Sequence, residues 1–143
     1  MRSPLSFVSF SCLVFFGCND PITDIAKSHI DANVPKGKLF DEYLKRDLEH
    51  YFCTDSDCTV TYTLLRDGPT QTGIAYPKYY VWAQCLKKQK VISEGAVRVA
   101  AVEQERFEVT NFLSRQEILA TPSEVNSVLP AALVESILKK AHE

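Results

Sequence analysis

The sequence predicts an α+β domain: an N-terminal helix packed on a curved antiparallel sheet of three to five strands, with short C-terminal helices. Two observations lead to this prediction. Between residues 59 and 113 apolar and polar side chains alternate with a period of two, which is typical of half-buried strands. On both sides of this stretch the apolar spacing changes to three and four residues, which is typical of amphipathic helices. The order helix, strands, helices favours an α+β arrangement with helix covering one sheet face.

Length and composition indicate one ordinary globular domain. The chain has 143 residues, is 45% hydrophobic and 24% charged, and carries a formal net charge of -2. This charge gives no field that would attract nucleic acid. The single basic cluster, Lys87-Lys88-Gln89-Lys90, lies between two strand patterns, and we interpret it as a solvated turn rather than a nucleic-acid patch.

The first residues predict a targeting segment. Arg2 precedes an apolar run from Leu5 to Phe16, which is shorter than the roughly 20 residues that a membrane-spanning helix needs. The sequence Phe15-Phe16-Gly17-Cys18 resembles the lipobox of bacterial lipoproteins, although the family usually has an aliphatic residue and a small residue where the two Phe stand. The resemblance implies a signal peptide over residues 1–17 and acylation of Cys18, with palmitate as a typical chain. The alternative is an incidental thiol beside an ordinary export signal.

The remaining chain divides into a spacer and a domain. Residues 18–38 mix Pro, Asp, Asn, Lys and Gly without sustained periodicity, which predicts a lipid anchor followed by a spacer. Residues 39–143 form the single α+β domain. Its first helix, Leu39 to Phe52, carries a stripe at three- and four-residue spacing that should dock on the sheet: Phe40, Tyr43, Leu44, Leu48, Tyr51 and Phe52.

Three cysteines belong to the domain. Four polar residues separate Cys53 from Cys58, which suits a small disulfide-closed loop in an oxidising compartment. Unpaired thiols and a metal site are the alternatives, the second weakened by the missing further Cys or His pair of a zinc site. Cys85 alternates with apolar residues and is predicted to be a buried, unpaired thiol.

The predicted strands differ in how many faces they bury. Residues 59–64 alternate cleanly and residues 71–76 form a possible short strand. The run from Tyr79 to Leu86 is apolar on both faces, which indicates a central strand or a face offered to a partner. We predict that the C-terminal helix leaves part of this face open. The resulting candidate interaction surface consists of Tyr80, Trp82 and Leu86.

A hairpin with a turn at residues 103–105 should follow this strand. It would place Arg98 opposite Glu108 as a cross-strand ion pair, and Asn111 on the apolar face, where a buried amide needs partners.

Two capping boxes are predicted after residue 113. Ser114 to Glu117 and Thr121 to Glu124 both have the required spacing, and Pro130 restarts a final helix. The overall element order resembles that of cystatin-like and nuclear-transport-factor-like domains.

No catalytic, cofactor-binding or metal-binding motif is recognisable in the sequence. The three His are scattered at positions 29, 50 and 142, and a pair of His50 with Cys53 is lost if Cys53 is in a disulfide. The sequence therefore favours a non-enzymatic lipoprotein anchored at the bacterial envelope, facing the periplasm or the cell surface, where it binds or assembles with an unknown envelope protein. The alternatives are an inhibitor or immunity-type protein against an envelope enzyme, a carrier of a small apolar ligand and, last, an enzyme.

Overall fold

The computed structural model describes residues 21–143. In this part of the chain two helices precede four strands and short helices follow them. The helices are α1 (Pro21–Asn33), α2 (Lys38–Phe52), α3 (Arg115–Ala120), α4 (Val125–Val128) and α5 (Val134–His142), with 3₁₀ turns at Pro122–Glu124 and Ala131–Leu133. The strands are β1 (Cys58–Leu64), β2 (Lys78–Lys87), β3 (Lys90–Val102) and β4 (Arg106–Ser114).

The four strands form an antiparallel sheet in the order β1-β2-β3-β4, so that each strand pairs with its neighbour in sequence. α2 packs on one face of this sheet and the C-terminal helices pack on the other. The predicted α+β class, with an N-terminal helix on a sheet of three to five strands, is therefore confirmed. The structure has a third layer, whereas the sequence predicts helix covering one sheet face only.

α2 meets the sheet through most of the predicted stripe. Leu44 and Leu48 are fully buried, and Phe40 packs edge-on against aromatic rings of β2 and β4. Tyr51 is the exception, since it is 53% exposed. It lies in the last turn beside β4 and contacts the ring of Phe52. Burial of the large side chains supplies roughly 1.5–3 kcal/mol each, so this face fixes the helix on the sheet.

α2 also protects both edges of the sheet. The Asp47 carboxylate accepts the backbone N–H of Phe107 on β4 at 2.6 Å. The Glu49 carboxylate accepts the N–H of Val60 on β1 at 3.3 Å and the hydroxyl of Thr59 at 2.8 Å. Because β1 and β4 are the two edge strands, each of these amides would otherwise be open to pairing with another chain. One helix thus satisfies a backbone donor on each edge.

Tight turns join the last three strands. Lys88 and Gln89 connect β2 to β3 with φ of 49° and 64°, and Glu103 and Gln104 connect β3 to β4 with φ of 52° and 59°. At Lys88-Gln89, positive φ at both central residues is the geometry whose twist suits a two-residue hairpin. The β3–β4 loop has three residues, because Glu105 follows the two residues of positive φ before Arg106 pairs with Val102. The turn predicted at 103–105 is confirmed, and so is the turn at the basic cluster.

Two predictions about side chains of the β3–β4 hairpin are wrong. The pairing of Val102 with Arg106 places Glu108 opposite Ala100, and Glu108 forms its ion pair with Arg106. A bulge in β4 then determines the partner of Arg98. The register with β3 shifts between Arg98 and Val99, so that Arg98 pairs with Asn111 while Val99 pairs with Val109. Arg98 therefore donates to the Asn111 side-chain oxygen and to the Thr110 hydroxyl instead of pairing with Glu108. Asn111, expected on the apolar face, lies on the opposite face as the partner of Arg98.

The predicted strand at residues 71–76 is a loop. A single bridge joins Thr70 to Lys78, and the chain between them is held by the Gln71 amide, which donates to the carbonyls of Gly73 at 2.9 Å and Ala75 at 2.7 Å. Pro77, which is buried, follows directly and provides no N–H for a ladder. The loop presents Ile74 to solvent.

The segment expected as a spacer contains α1. Most of this helix is exposed, but its C-terminal end contacts the β3–β4 turn through Asn33, a buried polar residue. The backbone N–H groups of Glu103 and Gln104 donate to the side chain and the carbonyl of Asn33, at 3.0 Å and 2.8 Å. Carbonyls at a helix end lack partners within the helix, and the Gln104 N–H supplies one for the Asn33 carbonyl. The Glu103 N–H holds the Asn33 side chain in the same contact.

The C-terminal segment forms the third layer. Ser114 caps α3 with the predicted box: the Glu117 N–H donates to its hydroxyl, and the Glu117 carboxylate accepts the Ser114 N–H at 2.8 Å. The second predicted box is not formed, because Thr121 makes no side-chain cap bond, although Pro122 lies at the start of the 3₁₀ turn that follows. The buried residues of this layer are Ile118, Val125, Leu129, Leu133, Ile137 and Ala141.

A polar groove at one end of the sheet

The predicted interaction surface is largely core. Tyr80 and Trp82 are 4% and 5% exposed and pack under the C-terminal helices, whereas Leu86 is half-buried. The prediction of an open face was therefore wrong for the first two residues. The physical reason is that β2 is a central strand with a helical layer on each side, so both of its apolar faces are covered.

A groove lies where this covered face ends. It has a volume of about 530 Å³ and runs between β1, the end of β2, the start of β3 and α5. Trp82 is one of its lining residues, although it is buried. The other lining residues are mainly polar: Thr61, Tyr62, Thr63, Gln84, Val91, Glu94, Arg115, Lys140 and Glu143. A shallower hollow of about 230 Å³ lies next to it and shares Val91, Glu94 and Arg115 with the groove.

Glu94 is the centre of the groove floor. The amide of Gln84 donates to one carboxylate oxygen at 2.9 Å and the Arg115 guanidinium donates to the other at 2.7 Å. Arg115 also donates to the carbonyl of Ala141, at 2.8 Å, and so ties α5 to the sheet. The hydrogen bond from Gln84, followed by those from Arg115 and Trp82, lowers the pKa of Glu94, although burial opposes the shift. The carboxylate is thus held in its charged form.

These floor residues are not recognisable from the sequence, because their alignment depends on strand register. A two-residue turn at Lys88-Gln89 places Gln84 opposite Ser93, yet a bulge between Cys85 and Leu86 moves Glu94 into that position. The only signal in the sequence is one polar residue in the strand before the turn, Gln84, and another in the strand after it, Glu94. Without knowledge of the bulge, their alignment was not predictable.

Val91, which lines the groove, and Ile92, which lines the adjoining hollow, form an apolar rim along an open strand edge. β4 ends where Ser114 pairs with Gly95, so in the described chain residues 90–93 of β3 pair with β2 alone. Val91 and Ile92 on this segment are 47% and 59% exposed. Ile92 is the residue that the bulge leaves without a cross-strand partner.

The cysteine predictions are confirmed. Cys53 and Cys58 form a disulfide that links the end of α2 to the start of β1, and Cys85 is a free, buried thiol. The structure adds a contact that the sequence did not indicate, because Cys58 Sγ and Cys85 Sγ are 3.0 Å apart.

The remaining predicted sites are the N-terminal anchor and the pair of His50 with Cys53. The lipobox, the signal peptide and the acylated Cys18 all lie outside residues 21–143. Within that range no helix combines the length and the apolar character needed to cross a bilayer. His50 is exposed on α2, and its proposed partner Cys53 is in the disulfide.

Comparisons of the chain with known protein families, with curated proteins and with solved structures found no match.

Proposed function

We propose that this protein is an exported, membrane-anchored, non-catalytic binding module that captures an envelope protein in the groove between β3 and α5. The single observation that carries the proposal is the exposed start of β3. Val91 lines the groove and Ile92 lines the adjoining hollow, at a point where β3 pairs with only one strand. Exposed apolar side chains next to a concave polar surface mark protein interaction sites.

The chemistry of the groove floor favours binding over catalysis. The carboxylate of Glu94 has donors on both oxygens, and its pKa is lowered first by Gln84 and then by Arg115. A general acid or base near neutral pH needs a carboxyl pKa that is raised instead. Glu94 therefore serves to hold the groove in shape while the rim residues contact a partner.

The disulfide supports the export part of the proposal. Cys53 and Cys58 are half-buried and form a disulfide bond. Such bonds persist in oxidising compartments such as the bacterial periplasm and are rare in the cytosol. Together with the signal-like residues 1–17 and the lipobox-like Gly17-Cys18, this agrees with a chain held at a membrane by an acyl group.

The alternatives differ in the surface they require. An inhibitor or immunity-type protein would use a protruding element, and the loop that carries Ile74 is the candidate for that role. A carrier of an apolar ligand would need space against the sheet, but α2 packs on one face and the C-terminal helices pack on the other.

Site-specific photo-crosslinking in the native host tests the binding proposal. A photoreactive phenylalanine analogue replaces Ile92 in one strain, Ile74 in a second and Tyr51, as an exposed control on α2, in a third. We expect one defined crosslinked partner from position 92. Crosslinks from position 74 alone would transfer the proposal to the loop, and an identical pattern from all three positions would overturn it.

The anchor is tested separately. Cys18→Ser should abolish incorporation of labelled fatty acid and leave an unprocessed or released form. Label that remains on this variant would refute the lipoprotein part of the proposal without affecting the groove.

A further inference from the structure

Three sulfur atoms meet at the junction of α2, β1 and β2. The Sγ atoms of Cys53, Cys58 and Cys85 all lie within 4.8 Å of one another. Two of them form the disulfide, and the third, Cys85, has its sulfur 3.0 Å from that of Cys58. This distance is already shorter than an ordinary contact between unbonded atoms, and a covalent bond needs a further approach of only about 1 Å.

The sheet holds this contact in place. Val60 pairs with Cys85 across β1 and β2, so Cys58, two residues before Val60, is the diagonal neighbour of Cys85 on the same face. Diagonal side chains on one face of an antiparallel pair are within reach of each other. The proximity of the two sulfurs therefore follows from strand register and does not depend on a flexible loop.

We propose that these three cysteines form a thiol–disulfide exchange site, in which the Cys85 thiolate attacks Cys58 Sγ and releases Cys53 as a free thiol. The bond between Cys53 and Cys58 breaks as the bond between Cys58 and Cys85 forms. The electron pair of the broken bond leaves on the sulfur of Cys53. The proton that Cys85 gives up passes to solvent, and Cys53 takes one from solvent. The exchange involves no net oxidation and needs no outside reagent.

The exchange changes which thiol is accessible. Cys85 is 2% exposed, whereas Cys53 is half-buried at the end of α2, next to the exposed residues 54–57. A free thiol at Cys53 can form a mixed disulfide with a low-molecular-weight thiol or a partner cysteine, which a buried Cys85 cannot do. The site thus exchanges a protected thiol for a reactive one.

The exchange also moves the crosslink from one pair of elements to another. In the observed form the bond joins α2 to β1 with a sequence separation of 5. In the exchanged form it joins β1 to β2 with a separation of 27. The longer loop constrains the unfolded chain more strongly, so the exchanged form has its own source of stability.

Timed alkylation of the native full chain tests the proposal. The protein is incubated without reductant, at mildly alkaline pH, with a charged maleimide, and the labelled residue is identified by non-reducing peptide mapping. We expect label to accumulate on Cys53 while a disulfide between Cys58 and Cys85 appears. Cys85→Ser, which keeps the original disulfide but lacks the attacking thiol, should show no labelling of Cys53.

A second variant forms the product directly. Cys53→Ser, oxidised mildly, should contain the bond between Cys58 and Cys85, and circular dichroism checks that the variant is folded. The proposal is overturned if label appears only on Cys85, if Cys53 is labelled equally fast in Cys85→Ser, or if Cys58 and Cys85 stay reduced in the folded Cys53→Ser protein.

Discussion

At the scale of single residues, Glu94 connects the groove to the stability of the domain. Its carboxylate is 16% exposed and accepts from Gln84 on β2 and from Arg115 on α3. Hydrogen bonds to a charged group are worth about 1.5–3 kcal/mol when they are made in a partly dry site. The same three residues therefore shape the groove and hold the third layer to the sheet.

Glu94→Gln should lower the free energy of unfolding by about 1–3 kcal/mol at neutral pH, because Arg115 loses its charged acceptor. Urea titration measures this change. Glu108→Gln is the matched control, since Glu108 pairs with Arg106 on the surface with both side chains about half exposed. Such pairs contribute roughly 0–1 kcal/mol. Equal losses for the two variants would refute the role given to Glu94.

The acid dependence of stability provides a further prediction for Glu94. Its pKa is lowered in the folded state, so its contribution is fully present above the ordinary glutamate pKa of about 4.3 and disappears as the pH falls through the folded value. As the pH falls from about 5 to about 3, the free energy of unfolding of Glu94→Gln should therefore decrease less than that of the parent protein. Parallel acid-unfolding curves for parent and variant would contradict this result.

Trp82→Ala should destabilise the domain by about 3–5 kcal/mol, as expected for a buried aromatic residue, because the indole packs under the C-terminal helices. The sequence alone suggested a binding residue whose loss costs less than that of a core aromatic residue. Tyr51→Ala, at a site 53% exposed, should change the free energy of unfolding by about 0.5 kcal/mol or less. Thermal or urea unfolding of the two variants checks the difference in burial.

Single residues were predictable where the sequence signal is local, and not where their partners depend on strand register. The loop between Cys53 and Cys58 is short and polar, so the disulfide between them was predictable from the sequence. The apolar residues that alternate with Cys85 likewise indicated that its thiol is buried. The partners of Arg98, Asn111 and Glu94 depend on two bulges. A bulge moves every later residue of a strand by one position against its partner, and neither bulge has a glycine or proline signal here.

At the scale of secondary-structure elements, α3 provides a direct test of capping. Ser114→Ala should cost about 1 kcal/mol of unfolding free energy, since its hydroxyl accepts the Glu117 N–H. Thr121→Ala should cost under about 0.5 kcal/mol, because Thr121 makes no side-chain cap bond even though its sequence has the same spacing. Urea unfolding of the pair measures the difference. A larger loss from Thr121→Ala would contradict the assignment of the caps.

The contact between α2 and the sheet edges leads to a prediction about self-association. Asp47→Ala removes the acceptor of the Phe107 N–H, which should cost about 1–3 kcal/mol and leave the edge of β4 free to pair. Sedimentation should then detect dimers or larger species. Glu42→Ala, an exposed acid on the same helix, is the control and should remain as the parent does. A monomeric Asp47→Ala protein would show that this acid does not protect the edge.

Element predictions depended on periodicity. α2, β1, β2 and the β3–β4 hairpin have strong apolar patterns and were predicted with nearly the observed bounds. α1 was missed because its surface is mostly exposed and it is fixed mainly by Asn33 at one end, a contact with a turn 70 residues away in sequence. Residues 71–76 were assigned as a possible strand, but an internal hydrogen-bond network of Gln71 stabilises a loop there.

At the scale of the whole molecule, the sequence predicted the class of fold but not the number of layers. The C-terminal elements are short, and each one alone buries few residues. Their combined cover over Tyr80 and Trp82 arises only when α3, α4 and α5 fold back on the sheet together. The apolar pattern on both faces of β2 was the available signal, and it fitted a central strand and an open face equally well.

The attachment of α1 to the β3–β4 turn determines how the folded protein carries mechanical load. If the N-terminus is fixed to a membrane and a partner pulls at the groove, force enters at Asn33 and leaves near Ile92. These points lie at opposite ends of β3, about 40 Å apart at the rise of a β-strand. The load then runs lengthwise along a strand that pairs with both neighbours over residues 95–100. The hydrogen bonds on both sides of β3 therefore share it. The attachment at Asn33 consists of far fewer hydrogen bonds, and under tension α1 should detach from the turn before the sheet opens.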